Sequence, residues 1–256
     1  MAGKAIWKGV IDFGGFQAPV KIHPAVKEER VRFHLLHKRD HVKLEQQMVC
    51  AYEKVPVPTE EQARGFEIAE GKYILVEPAE LERVDPEASR LIKVHEFVKR
   101  DAIDPIFLER VYYLAPDSQA GHYTALASAL NQVGARGICT WTMRKRSYVG
   151  AIGTDGKILC ISVLRYADQI VPVKSLDLPS VRIGEKELAI GSELIEKLSA
   201  PFQPEKFVDE HEKKLRALLA RKARGEKIAI LRPVRLKATQ SDKLMQVLEA
   251  SLKKAA

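Results

Sequence analysis

The sequence predicts a mainly β chain with an α portion, and three observations lead there. Apolar residues alternate with polar ones in short runs through roughly the first 165 residues. Those runs are separated by two-residue turn signals, Gly14-Gly15, Glu70-Gly71 and Asp155-Gly156. From Glu185 onward the apolar period lengthens to that of a helix. Period two places alternate side chains on one face of a sheet, and a period near 3.6 places them on one stripe of a helix.

The opening hairpin is the clearest element. Trp7, Gly9, Ile11 and Phe13 fall on one strand face, Gly14-Gly15 can turn the chain through positive φ, and Phe16, Ala18, Val20 and Ile22 alternate again. Val31–His37 and Val42–Cys50 read as strands with polar residues on both faces, as suits an excursion from a core. Val55-Pro-Val-Pro58 is extended, because a residue before proline is kept out of the α region. Thr59 can cap a short helix through Arg64; Phe66–Ala69 and Lys72–Val76 read as a hairpin, and Pro78–Val84 as a helix with proline in its first turn. Arg90–Val98 and Arg110–Ala115 are strands. Tyr123–Val133 is a helix whose stripe is Ala125, Leu126, Ala129, Leu130 and Val133, ended by Gly134. Strands follow at 136–144, 146–152 and 157–164. Leu188, Leu194, Ile195 and Leu198 share one helical face; Pro204 opens a second helix carrying Phe207, His211, Leu215, Leu218 and Leu219, with Gly225 after it. Residues 227–240 hold Pro233 and many cations and read as a basic linker, and Ser241 can cap a last helix with Leu244, Val247, Leu248 and Leu252 on one side.

Composition narrows the function classes. The chain has 256 residues, long enough for a sizeable core, and its three cysteines, Cys50, Cys139 and Cys160, are too scattered for a disulfide framework. No apolar run approaches the roughly 18 residues of a membrane span, Met1–Lys8 lacks an apolar leader, and the scattered cysteines fit a reducing cytoplasm, the expected location. The net charge is +8, unevenly spread. Residues 59–117 are net acidic, whereas no Asp or Glu occurs between Asp117 and Asp155, and residues 213–237 carry ten Lys/Arg against one acid. Such blocks point to a polyanionic partner, most simply nucleic acid.

Sites of chemistry are sparse. His34, His37, His41 and Cys50 lie close in sequence but without the tight paired spacing of a zinc site, so no metal is expected. Pro116-Asp117 and Asp155-Gly156-Lys157 match the letters of a metal-dependent nuclease, yet the acid-free stretch between them leaves few carboxylates to complete it, and Asp155-Gly156 is already explained as a turn. A lyase acting through a lysine Schiff base is the other enzyme alternative. There is no phosphate-binding P-loop, nucleophile elbow or dinucleotide fingerprint, so no cofactor and no catalytic residue is assigned. The basic clusters remain. Arg144, Lys145 and Arg146 sit at a strand junction in the acid-free stretch, and Lys38, Arg39 and Lys43 sit in the early polar excursion. Both can meet phosphates, which bind without base readout. A sequence-neutral DNA-compacting protein would use the same residues.

The wording of several segments is specific. Ala5-Ile-Trp-Lys-Gly9, Phe33-His-Leu-Leu-His37, Arg64-Gly-Phe-Glu67, Gly71-Lys-Tyr-Ile-Leu-Val76, Ile103-Asp-Pro-Ile-Phe107, Tyr112-Tyr-Leu-Ala-Pro-Asp117 and Leu164-Arg-Tyr-Ala-Asp168 occur in this order. Over roughly residues 4–224 the chain resembles bacterial Ku, the DNA-end-binding family of non-homologous end joining. The resemblance implies a seven-stranded β-barrel core with an inserted bridge at about 28–100, the core spanning 1–180. It also implies a helical arm at 181–226 and a homodimer that forms a ring around a DNA end. Where many relatives carry a C-x2-C pair, this chain has Cys50 alone. Lys243–Leu252 looks like the family's terminal segment, which implies ligase D as a partner for the helix at 241–256.

Overall fold

The computed structural model describes residues 4–27, 30–176 and 183–225. Among them the chain forms two compact units, one of 4–27 with 34–175 and one of 30–33 with 176 and 183–225.

The first unit is built on a closed barrel of seven strands. Its strands are β1 (Trp7–Phe13), β2 (Phe16–Pro24), β5 (Leu91–Lys99), β6 (Leu108–Pro116), β7 (Ala135–Met143), β8 (Arg146–Asp155) and β9 (Ile158–Leu164). They run round the barrel as β1-β2-β6-β9-β8-β7-β5, and β5 returns to β1. Every strand pairing in the barrel is antiparallel except that seam, where Val10, Ile11 and Asp12 lie parallel to Leu91, Ile92 and Lys93. Closure leaves no barrel edge for stray pairing. Alternation then decides what fills it. Ile11, Ala18, Val20, Ile22, Ile92, Leu114, Leu159 and Ile161 are all fully buried.

Two glycines make room for two tryptophans. A Cβ on Gly9 would lie 2.1 Å from the Trp7 ring and 2.4 Å from the Arg90 carbonyl, and one on Gly150 would lie 2.6 Å from the Trp141 ring. The hairpin turn Gly14-Gly15 has φ of 53° and 85°, the mirror-image turn whose twist matches a hairpin.

Helix α2 (Ala120–Val133) touches β2, β7 and β8. Since β2 and β8 are not neighbours in the barrel, a helix reaching both spans its opening. The buried stripe is Tyr123, Leu126, Ala127 and Leu130, not the predicted Ala125, Leu126, Ala129, Leu130 and Val133; Val133 is exposed. The phenol of Tyr123 fixes that rotation. Its hydroxyl donates to the Leu114 carbonyl at 2.7 Å and accepts the Leu159 N–H at 2.9 Å, where β6 and β9 pair. Burial pushes this phenol's pKa up, so it stays protonated and able to donate. Gly134, at φ 67°, ends the helix as expected.

Between β2 and β5 the chain leaves the barrel. The predicted strands Val31–His37 and Val42–Cys50 are not formed; single bridges, Leu36–Lys43 and Val49–Pro56, hold two narrow loops instead. Their side chains are exposed on both faces, so no core repeats the pairing along a ladder. The predicted helix at Thr59 is one 3-10 turn, Thr59–Glu61, before the separate hairpin of β3 (Arg64–Ala69) and β4 (Lys72–Val76). Helix α1 (Pro78–Val84) has proline in its first turn, as its sequence predicts. The strand predicted to end at Ile152 runs on to Asp155, so that Gly156-Lys157 makes the turn into β9.

In the second unit α3 (Glu185–Leu198) carries Leu188, Ile195 and Leu198 exposed on the predicted face. The next helix does not begin at Pro204. Pro204–Lys206 is a 3-10 turn, and α4 (Glu210–Ala223) starts after Asp209, whose carboxylate accepts the Glu212 N–H as an N-cap. Phe207 lies outside the helix and stacks on Phe202 at 5.8 Å. Glu212 accepts the backbone N–H of Val31 and pairs with Arg216. The predicted linker at 227–240 and helix at 241–256, with Leu244, Val247, Leu248 and Leu252, lie outside the described residues.

Replacing Tyr123 by Phe leaves a buried carbonyl and a buried N–H unpaired. We expect a loss of about 2 kcal/mol and a fall in melting temperature of roughly 5 °C. An unchanged melt would contradict the anchoring role of the phenol.

Candidate nucleic-acid interface

The cationic triplet builds a hairpin turn. Met143 pairs with Arg146, so Arg144 and Lys145 are the two turn residues between β7 and β8. Their φ values are 52° and 60°. This is the same mirror-image geometry that the β1–β2 turn achieves with two glycines. For side chains with a Cβ the left-handed region costs about 1 kcal/mol or more per residue. Two long cations therefore occupy a turn that the backbone would give to Asn-Gly. Both side chains are exposed, at the end of β7 away from its junction with α2. Arg146 is exposed at the start of β8.

The turn lines a cleft of about 490 Å³ that sequence reasoning did not reveal. Lys8 at the start of β1 and Arg90 just before β5 face it together with Arg144 and Lys145, beside Trp7 and Thr142. Three segments remote in sequence meet here because of the β1–β5 seam, where the Arg90 carbonyl accepts the Val10 N–H at 2.8 Å. No local signal marked Arg90 or Lys8; only the barrel pairing brings them to the triplet.

The two lysines of the cleft already hold carboxylates. Lys145 Nζ lies 2.8 Å from Asp85 Oδ2 and 3.8 Å from Glu82 Oε1, at the C-terminal end of α1. The Asp85 carboxylate, as hydrogen-bond partner and as charge, raises the pKa of Lys145 above the usual lysine range. Lys8 Nζ is 3.4 Å from Asp117 Oδ1, which Lys21 approaches more closely. The Lys21 hydrogen bond comes first in holding the Asp117 carboxyl below its usual range, and Lys8 adds to it. Asp117, half of the nuclease-like lettering, thus serves as an ion-pair partner. For Arg90 and Arg144, among the described residues, no ion pair or side-chain hydrogen bond is found. Guanidinium is the group best shaped to grip phosphate.

Lys38 and Arg39 form the tip of the loop closed by Leu36 and Lys43, and all three cations are exposed. The loop is stapled by Asp40, whose carboxylate accepts the Val42 N–H at 3.1 Å and pairs with His37 Nδ1 at 2.9 Å. Those bonds, the Val42 N–H first, lower the Asp40 pKa. These residues are not among those lining the cleft, so they form a second basic group. The thiol of Cys50 accepts the N–H groups of Glu53 and Tyr52, which lower its pKa. Among the described residues no three or more His, Cys, Asp or Glu side chains come together as a metal site. Nor is any helix there long and apolar enough to cross a membrane.

The sequence of this chain matches the family model for the Ku70/Ku80 beta-barrel domain over residues 12–190. It is 63% identical over 256 residues to a non-homologous end joining protein Ku 2 of Geotalea uraniireducens, covering 100% of both chains. It is 37% identical over 228 residues to a protein of Anaeromyxobacter named non-homologous end joining protein Ku, covering 88% of this chain and 77% of that one. A protein of the same name from Heliobacterium modesticaldum is 34% identical over 255 residues, covering 98% and 92%.

Proposed function

Because this chain belongs to the Ku family, we propose that it binds the ends of double-stranded DNA, without sequence preference, in non-homologous end joining. The observation that carries the reading is the β7–β8 turn. Two cations held at unfavourable φ beside a basic cleft are costly for the fold and useful to a polyanion partner. Phosphate contacts give affinity without base readout. Arg144, Lys145 and Arg146 form the principal contact group in this reading, and Lys38, Arg39 and Lys43 the second.

We read the protein as a homodimer whose two copies close around the duplex. The loops between β2 and β3 support this, since Phe33, Leu35, Met48 and Tyr52 are each more than 65% exposed, with Leu44 half-exposed beside them. Apolar surface on that scale suits contact with a second copy. A ring accounts for selection of ends by topology, because a duplex enters only at an end. The protein acts as a scaffold with no catalytic step, in the cytoplasm at the nucleoid. The segment 241–256, behind the basic linker 227–240, recruits ligase D. An amphipathic helix this short folds readily into a partner's groove, with Leu244, Val247, Leu248 and Leu252 as its anchors.

The turn offers a test that separates binding from folding. Arg144→Asn with Lys145→Gly gives the turn its preferred residues while removing two cations. We expect stability to rise by about 1 kcal/mol and retention of linear duplex to fall. The slope of log K against log salt should become shallower by about 0.9 for each lost phosphate contact. Undiminished binding by this better-folded variant would refute the assignment. Light scattering on the same sample reports the dimer, and the mass of a single chain would contradict it. Deleting 241–256 is expected to spare DNA binding and to reduce stimulation of the ligase; full stimulation by the truncated protein would refute the tail's role.

A further inference from the structure

Two carboxylates stand next to the cleft beside the β7–β8 turn, paired with one of its lysines. Lys145 bridges two carboxylates of the segment that ends α1, and it is itself 66% exposed, against 71% for Glu82 and 31% for Asp85. With the ammonium this open to water, such pairs add only about 0–1 kcal/mol to a fold. Their position does matter electrostatically. Asp85 precedes Pro86, Ala88, Ser89 and Arg90, which line the cleft; Asp85 and Glu82 do not line it themselves, but both pair with the Lys145 ammonium that does. A phosphate and a carboxylate compete for one ammonium group. The arginines of the cleft, Arg90 and Arg144, have no such competitor among the described residues.

We propose that the cleft is a seat for one backbone phosphate of the DNA, gripped by Arg90 and Arg144, and that Asp85 and Glu82 are a built-in counter-ion which the phosphate displaces from Lys145. The inference rests on the proposed binding of DNA by the turn and adds to it a residue, Arg90, and a regulatory device. In the free protein Lys145 is neutralised from within. On binding, its charge passes to the phosphate and the two carboxylates return to water. Fewer salt ions are then released than three free cations would imply, which weakens the grip and eases movement along the duplex.

The test is a mutant cycle read by the salt dependence of duplex binding with the full chain. Asp85→Asn with Glu82→Gln frees Lys145 and keeps the backbone bond from the residue-85 N–H to Leu81. We expect severalfold tighter binding and a log–log salt slope steeper by about 0.9. Placed on a Lys145→Gln background, the same pair should lose most of that gain. Equal tightening with and without Lys145 would mean that the carboxylates repel DNA directly, and would overturn the counter-ion. Unchanged or weaker binding would overturn it as well. Arg90→Gln should weaken binding and flatten the slope, by at most the roughly 0.9 that one phosphate contributes, and no change there would remove the seat. Glu82→Gln alone, at an exposed side chain, repeats the test at half strength should the double variant fold poorly; tighter binding supports the counter-ion and unchanged binding contradicts it. If Arg144→Gln and Lys145→Gln leave binding untouched while Lys38→Gln with Arg39→Gln abolishes it, the turn itself is not a DNA contact. The inference then fails with that assignment and not through the counter-ion.

Discussion

Strand β1 is held on one side by an antiparallel hairpin partner and on the other by parallel pairing with β5, and that second contact closes the barrel. Strand β2 makes the return that parallel pairing needs, since it ends beside the start of β1 with Ile22 opposite Trp7. Residues 25–90 then carry the chain across to the start of β5 and contain the paired loops, the β3–β4 hairpin and α1. The seam is tight. The Arg90 carbonyl meets the Val10 N–H and leaves no room for a Cβ on Gly9. Without it Arg90 and Lys8 would not share a cleft with the β7–β8 turn, and the long connection would have no fixed end.

Closure also explains how the molecule divides its work. The interior is filled by one apolar cluster, and α2 spans one opening with a buried phenol that satisfies both barrel groups it meets. The charge is left to the turns and to the connection. Antiparallel hairpins tolerate any residue that keeps the twist, so the fold can place Arg-Lys at one turn and Gly-Gly at another with the same backbone hand. The difference between the two turns is set by what each meets. Phe13 and Phe16 pack at 5.0 Å beside the glycine turn, whereas the cationic turn faces a basic cleft.

Much of this was legible in the sequence where the signal is local. The opening hairpin, its glycine turn and its buried face follow from alternation, and the cationic triplet was visible as charge at a strand junction. The stripe of α2 was misread because Ala125 and Ala129 fit a helical period as well as Tyr123 and Ala127 do, and only the phenol's two buried bonds choose between them. Val31–His37 and Val42–Cys50 read as strands of mixed polarity, but with no core on either face only single bridges form. Arg90 was invisible as a site residue because the cleft joins segments more than fifty residues apart in the chain. The left-handed geometry of Arg144 and Lys145 was hidden for the opposite reason, since turn signals in sequence are carried by Gly and Asn.

The central claim is that a phosphate grip without base readout selects ends by topology. The most direct measurement is a gel-shift titration of one duplex in linear and covalently closed circular forms, at equal length and equal salt. A threaded ring retains the linear form alone, with affinity falling steeply as salt rises. Equal retention of the closed circle would mean recognition by an open groove, as in a DNA-compacting protein, and would contradict the ring.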